Sequence, residues 1–244
     1  MDHSTRPWPP PPSPWIMRQV WHDLLFAHWP LPPAALRPLV PASLAIDTFD
    51  GQAWLGVVPF QMSGVRPRCL PPLPGLSAFP ELNVRTYVAL QGKPGVFFFS
   101  LDAASRLAVA GARRLFHLPY YRAEMAVAPE GEGVSYASRR VHPGAPAAEL
   151  RGRYGPTGPV RPAAAGSLDD WLTARYCLYT VARGASYRCE IHHAPWPLQP
   201  AAARFEVNTM AAAAGLPFPD RPPLLHFARR LEVVVWPLER VRGG

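Results

Sequence analysis

Four polar side chains at alternate positions of one short stretch carry the densest chemistry in this chain. Within 81–90, Glu81, Asn83, Arg85 and Tyr87 alternate with Leu82, Val84, Thr86 and Val88. A period of two is that of a strand, whose successive side chains point to opposite faces. One face therefore carries a carboxylate, an amide, a guanidinium and a phenol. Facing a cavity, it suits a polar or anionic small molecule, with Arg85 as a bidentate partner, Glu81 as base or acceptor and a tyrosine as donor. Facing water, Glu81 and Arg85 make a structural ion pair on a solvated sheet face. Both readings stand at this level.

A second group follows: Arg113, Arg114, His117, Tyr120 and Tyr121. The two tyrosines open an expected strand that can neighbour the first. Arginines at a helix C-terminus favour the helix dipole, and His117 beside the tyrosines is a proton carrier or a cap. Glu81, Tyr120 and Tyr121 are thus the candidate catalytic residues, with Asn83, Arg85, Arg113 and His117 as candidate substrate-binding residues. His192 and His193 are adjacent, so on a strand they face opposite ways and do not share an ion. No His or Cys spacing completes a metal site, and neither a metal nor a cofactor is expected. Ser100 and Asp102 lack the Gly-x-Ser-x-Gly setting of a nucleophile elbow, and no glycine run forms a phosphate loop.

The elements that must position these residues centre on 95–125. Val96–Leu101 is an unbroken apolar run, rich in Phe and Val, that reads as a strand buried on both faces. Asp102 stands where a helix N-cap belongs. Ala104, Leu107, Ala108, Gly111 and Leu115 then share one helical face, whose small residues allow close approach to what it covers. Leu118–Pro119 ends the helix, and a strand runs from Tyr120 to Val127. Further strands are expected at 19–29, 44–49, 52–62, 81–90, 133–140, 149–154, 176–182, 186–192, 205–207 and 231–236. Short helices are expected at 33–39, after a Ser167 cap, and at 209–214. Asp50–Gly51 and Arg183–Gly184 read as hairpin turns. The 33 prolines among 244 residues argue against long helices.

Composition narrows the function classes. With 48% hydrophobic residues the chain can build a large core, but no apolar run approaches the roughly 20 residues of a membrane span. The opening MDHSTRPWPPPPSPW has no apolar signal core, and Cys69, Cys177 and Cys189 are odd in number, so a reduced cytoplasmic setting is expected. Net charge is +8, with Lys93 the sole lysine among 25 basic residues. The arginines are scattered rather than clustered with aromatics, so no nucleic-acid partner is expected.

WHDLLFAHWPLPPAALRPLVPASL, FDGQAWLGVVPF, FPELNVRTYV, ARRLFHLPYYRAEM and HHAPWPLQ resemble the YqjF-like family of bacterial proteins, a likeness that covers nearly all of the chain past residue 15. A more distant resemblance is to acetoacetate decarboxylase: LRPLVPASLAID, GKPGVFFFSLD and GARRLFHLPYY keep its order and spacing. That resemblance implies an α+β fold in which a large curved antiparallel sheet closes into a cone around a buried pocket, with a few short covering helices. It also implies a pocket glutamate at Glu81 and, at Tyr120 and Tyr121, the places where the enzyme carries two adjacent lysines. A phenol forms no imine, and Lys93 in its Gly-Lys-Pro-Gly turn should be solvated, so Schiff-base decarboxylation is not expected. Multimers of related enzymes leave a homo-oligomer open.

The sequence therefore yields a proline-rich tail over 1–15 and one acetoacetate-decarboxylase-like domain over 16–244. Its expected role is binding a small organic ligand, whether or not a reaction follows, without nucleic acid or membrane. The alternative is an interaction protein whose cone is plugged by side chains and whose proline-rich segments Trp8–Trp15 and Arg66–Pro74 dock partners.

Overall fold

The computed structural model describes residues 6–217 and 220–241. Twelve strands and four short helices follow one another among these residues. They are β1 (Met17–Leu31), α1 (Pro33–Leu36), β2 (Ala45–Ile46), β3 (Ala53–Pro67), β4 (Phe79–Leu90), β5 (Lys93–Ala103), α2 (Arg106–Leu115), β6 (Tyr120–Glu130), β7 (Gly133–Arg140) and β8 (Glu149–Pro156). Then come α3 (Leu168–Thr173), β9 (Cys177–Ala182), β10 (Ala185–His193), β11 (Gln199–Asn208), α4 (Met210–Ala213) and β12 (Leu224–Arg240). None of these helices is long and apolar enough to cross a membrane.

All the strands join one sheet that closes on itself twice, because two strands fork. The first half of β5 pairs with β9 and its last residues with β6, both in parallel, while β4 runs antiparallel along its other edge. One half of β12 pairs with β10 and the other with β11. The wall β12-β1-β3-β4-β5 is therefore shared by a seven-strand ring closed through β9 and β10 and a nine-strand ring closed through β6, β7, β8 and β11. The sheet is large, curved and mostly antiparallel as the resemblance implies; the two parallel pairings at β5 are the departure.

The shared wall explains why β4 is buried on both faces. Leu82 and Val84 join Leu25, Val57, Tyr136 and Leu150 in a core that fills the nine-strand ring. The alternate residues Glu81, Asn83 and Arg85 turn into the seven-strand ring and are also buried. A strand skip then sets the β5 side chains. Val84 pairs with Ser100 but Arg85 with Phe98, so one residue is bulged out and Phe98 and Leu101 reach the same interior.

Several local expectations shift for tertiary reasons. Asp102 is not a helix cap: it lies inside β5 opposite Leu82 and Tyr121, and Ser105 caps α2 by accepting from the Ala108 amide at 3.2 Å. Of the expected helix face, Ala108 and Gly111 line the interior, whereas Leu107 and Leu115 are 65% and 66% exposed. The expected hairpin at Asp50–Gly51 keeps only a Phe49–Gln52 bridge, because β2 pairs with β4. Lys93 is not simply solvated: it bonds Glu190 at 3.1 Å and lies over the Trp8 ring. Glu190 also receives Arg6 at 2.6 Å and the Trp8 indole at 2.8 Å, so the proline-rich segment is tied to the body from Arg6 onward. Residues 1–5 of that segment lie outside the described residues.

The parallel β5–β9 contact depends on Gly95. A β-carbon there would stand 2.7 Å from both the carbonyl oxygen and the sulfur of Cys177. Gly95→Ala should cost about 1–3 kcal/mol of stability by forcing the two strands apart. Denaturant unfolding reads this, and an unchanged midpoint would show that the strands separate freely.

Candidate functional site

A cavity of about 290 Å³ occupies the seven-strand ring. Its walls are apolar, with Val58, Phe60, Phe98, Leu101, Leu178 and Trp196 among the lining side chains. Helix α2 lies across it, and the small residues Ala108, Gly111 and Ala112 let the helix approach without filling the space. Into this setting come few polar groups, each placed by strand alternation or by a strand end.

Glu81, from β4, is 3% exposed and receives the Tyr120 hydroxyl at 2.7 Å on Oε2. Its backbone carbonyl accepts the Tyr136 hydroxyl at 2.7 Å, which fixes the strand beneath it. Burial, reinforced by the Asp102 charge and opposed by the Tyr120 hydrogen bond, raises the Glu81 carboxyl to about 8. A carboxyl at that value keeps its proton at neutral pH, whereas the sequence reading has Glu81 as base or acceptor. Tyr120 is pushed well above the ordinary phenol range by burial and by Glu81, so its proton stays on the oxygen.

Arg85 faces the same cavity two alternations along the strand. It makes no ion pair with Glu81, and among the described residues no carboxylate comes within 4.0 Å of its guanidinium. One Nη donates to the Tyr87 hydroxyl at a long 3.4 Å, and Nε has no partner. Tyr87 in turn bonds His28 Nε2 at 2.7 Å. Burial, with Arg85 and His226 nearby, holds His28 well below the ordinary imidazole range, so it is a neutral hydrogen-bond partner of the phenol. Asn83, between Glu81 and Arg85, is 5% exposed and its Oδ1 has no partner.

Thus the structure brings Glu81, Asn83, Arg85 and Tyr120 to one cavity, and places Tyr121, Arg113 and His117 outside it. Tyr121 follows Tyr120 on β6, so its ring points to the other face of the sheet. There it lies 4.2 Å from the Arg140 guanidinium, beside the buried Asp102–Arg140 pair. Arg113 is exposed and donates to the Tyr120 carbonyl at 2.7 Å, a tie between α2 and β6. His117 has φ +53°, turns the chain after α2 and packs on Tyr187. Lys93, too, is absent from the lining.

Two lining residues stand outside the candidate catalytic and substrate-binding residues read from the sequence. Arg175, between α3 and β9, is 5% exposed; its Nη1 pairs with Asp47 at 2.6 Å, its Nε donates to the Trp171 carbonyl at 2.6 Å, and Nη2 has no partner. His193 ends β10 and is held down to about 4 by burial, hence neutral. Neither carries a local motif. Only the fold brings them to β4, and an arginine after a short helix reads in sequence as a surface residue.

Comparisons with known proteins agree with this architecture. The chain is 50% identical over 226 residues to the uncharacterized protein YqjF of Bacillus subtilis (strain 168), covering 93% of each. An acetoacetate decarboxylase from Legionella pneumophila superposes with TM-score 0.63 at 12% identity, over 98% of this chain and 93% of the other. An acetoacetate decarboxylase-like enzyme from Sphingomonas wittichii RW1 gives 0.59 at 14% identity, over 95% of each chain. The enduracididine biosynthesis enzyme MppR, complexed with pyruvate, gives 0.61 at 10% identity, over 97% and 93%. At these identities the three structures establish the acetoacetate-decarboxylase-like fold alone. Since residues 18–232 match the model of the uncharacterized conserved proteins called DUF2071, the chain belongs to the DUF2071 family.

Proposed function

We propose that the seven-strand ring binds a small oxygenated organic molecule, whose carbonyl or hydroxyl oxygen takes a hydrogen bond from the protonated Glu81 carboxyl. The observation that carries this reading is a buried, neutral carboxyl group held by Tyr120 at the wall of an apolar cavity. Tyr120 occupies one oxygen of Glu81, which leaves the acid proton on the other for a ligand. Buried carboxylic acids kept neutral in this way serve enzymes as hydrogen-bond donors to carbonyl oxygens. Asn83 and Arg85 extend the polar strip of β4 and would hold a second polar group. Imine formation has no amine to start from, because the sole lysine, Lys93, stands outside the lining. Any reaction here would proceed by proton transfer at an oxygenated carbon, with Glu81 and Tyr120 as the catalytic pair.

The complex of MppR with pyruvate supports this reading, since a protein of the same fold there holds a small oxygenated molecule. The test uses a neutral ligand, so that no charge on it confuses the reading. Binding of a ketone such as 2-octanone, followed by calorimetry from pH 6 to 9.5, should weaken as pH rises through about 8, where Glu81 ionises. His193, at about 4, titrates below this window, Asp102, at about 6, only at its lower edge, and the phenols of Tyr120 and Tyr136 above it. Glu81→Gln keeps an acceptor for Tyr120 and a donor for the ligand, so its affinity should not change with pH. A flat profile in the natural protein, or no uptake of any oxygenated ligand, would remove the proposal.

A further inference from the structure

We propose that Arg85 and Arg175, with Asn83, form an anion clamp that anchors the carboxylate of a monocarboxylic acid with an apolar body. This rests on the cavity being a ligand site and names the class of ligand. Arg85 is 9% exposed, faces a cavity walled mainly by hydrocarbon, and lacks any carboxylate partner among the described residues. A guanidinium in such a place has lost water without gaining a counter-ion, an unfavourable arrangement unless an anion completes it.

Arg175 adds a second, independently placed guanidinium. Asp47 and the Trp171 carbonyl occupy two of its nitrogens and leave Nη2 without a partner. Both guanidiniums pack on the ring of Tyr87, the Arg85 Cζ at 5.7 Å and the Arg175 Cζ at 4.9 Å from its centre, which brings the two cations into one neighbourhood. Burial, and to a smaller degree the nearby Arg85 charge, hold Arg175 below the ordinary arginine range, so a negative group beside them is favoured. Asp47 balances one of the two positive charges and Glu81 is protonated, so one positive charge is left over. That balance selects a monoanion.

The rest of the cavity selects the body. Apart from Gln19, Thr173, His193 and the Glu81–Tyr120 pair, the rest of the lining is aliphatic and aromatic, which disfavours a second charge. Arg85 and Glu81 are four residues apart on an extended strand, about 13 Å between Cα atoms. An acid of two or three carbons clamped at Arg85 leaves the space toward Glu81 empty, whereas a medium-chain or arylalkanoic acid fills it and brings its far end to the Glu81–Tyr120 pair. Tyr87 and His28 act as positioning residues: the relay from Arg85 through the Tyr87 hydroxyl to neutral His28 fixes the guanidinium toward the cavity.

The experiment compares octanoate, octanamide, pyruvate and suberate by calorimetry at pH 7 on the natural protein, Arg85→Met and Arg85→Lys. Octanoate should bind about 100-fold more tightly than octanamide, its uncharged counterpart, and pyruvate and suberate should bind weakly. Arg85→Met should erase the preference for octanoate over octanamide while keeping the amide. Arg85→Lys, which keeps the charge without the fork, should fall between. Equal affinity for octanoate and octanamide, a preference that survives Arg85→Met, tighter binding of pyruvate than octanoate, or no binding of any acid would each overturn the clamp. The acid–amide comparison needs no variant, so misfolding of a variant cannot hide the answer. A clamp that fails while 2-octanone still binds with its dependence on Glu81 leaves the hydrogen-bond reading standing; the converse outcome leaves the clamp.

Discussion

Replacing Arg140 with methionine will lower the unfolding free energy by about 3–5 kcal/mol at pH 7. Arg140 Nε lies 2.9 and 3.1 Å from the two oxygens of Asp102, and both side chains are all but inaccessible. Asp102 already titrates near 6, raised by burial and held from rising further by Arg140. Without that arginine its carboxyl moves higher still. A carboxyl whose folded value exceeds its unfolded one loses stability as pH rises between the two, so the deficit of Arg140→Met should shrink at pH 5 and grow toward pH 8. Tyr121, stacked on the guanidinium, loses its cover as well. Adding Asp102→Leu to Arg140→Met removes the stranded acid and should recover most of the loss, because the penalty is the unpaired charge rather than the missing bond. Urea unfolding of the two single variants and the double variant, each at pH 5 and 8, reads all of this. A loss that is independent of pH, or a double variant weaker than either single one, would show that disturbed packing around Tyr121, not the stranded charge, causes most of the loss.

Glu81→Gln will gain stability over the natural protein by about 1.2 kcal/mol per pH unit between pH 6 and 8. Glu81 titrates at about 8 in the folded chain and near 4.5 in an unfolded one. Across that interval the folded state keeps a proton that the unfolded state has lost, so rising pH favours unfolding; above 8 both are ionised and the curve flattens. Other groups act with the opposite sign. His28, His22, His142 and His193 are all held below their ordinary range, and each adds stability as pH rises through 6.5 toward about 7.5, where the unfolded imidazoles have lost their protons. Asp102 works against them up to about 6. The buried thiols Cys177 and Cys189 are raised and act only above 9. All these contributions are common to the two proteins and cancel in their difference, which isolates Glu81. At pH 7 the same linkage makes Glu81→Gln more stable than the natural protein by about 3 kcal/mol. A stability difference between Glu81→Gln and the natural protein that stays constant from pH 6 to 8 would mean that Glu81 ionises normally, and the proton-donor role would go with it.

Glu81 illustrates how far a sequence reaches. The alternation in 81–90 is enough to place Glu81, Asn83 and Arg85 on one face of a strand. It does not tell whether that face meets water, because a strand with polar residues on one side reads alike at the surface and in a cavity. The answer comes from β5, β9 and β10, which close a second ring over that face. Tyr120 and Tyr121 divide for the same reason: adjacent strand residues must separate, and which one enters the cavity follows from the parallel register of β6 on β5. Asp102 satisfies every local condition for an N-cap, yet a buried arginine from β7 and pairing on both sides hold it in the strand.

The sequence alone determined the strand-rich, proline-interrupted architecture, the strand character of β1, β4, β7, β9 and β10, the Ser167 cap and the lack of a lysine beside the tyrosines. These are local properties: period, turn chemistry and residue identity are properties of neighbours in the chain. Tertiary structure alone decided that β5 and β12 fork, that one ring is filled while the other holds a cavity, that Glu81 keeps its proton and that Arg85 is joined by Arg175. Each of these depends on residues far apart in sequence, and on desolvation. The charge state of a buried carboxyl and the company of a buried guanidinium are fixed by what surrounds them in space, about which adjacent residues say nothing.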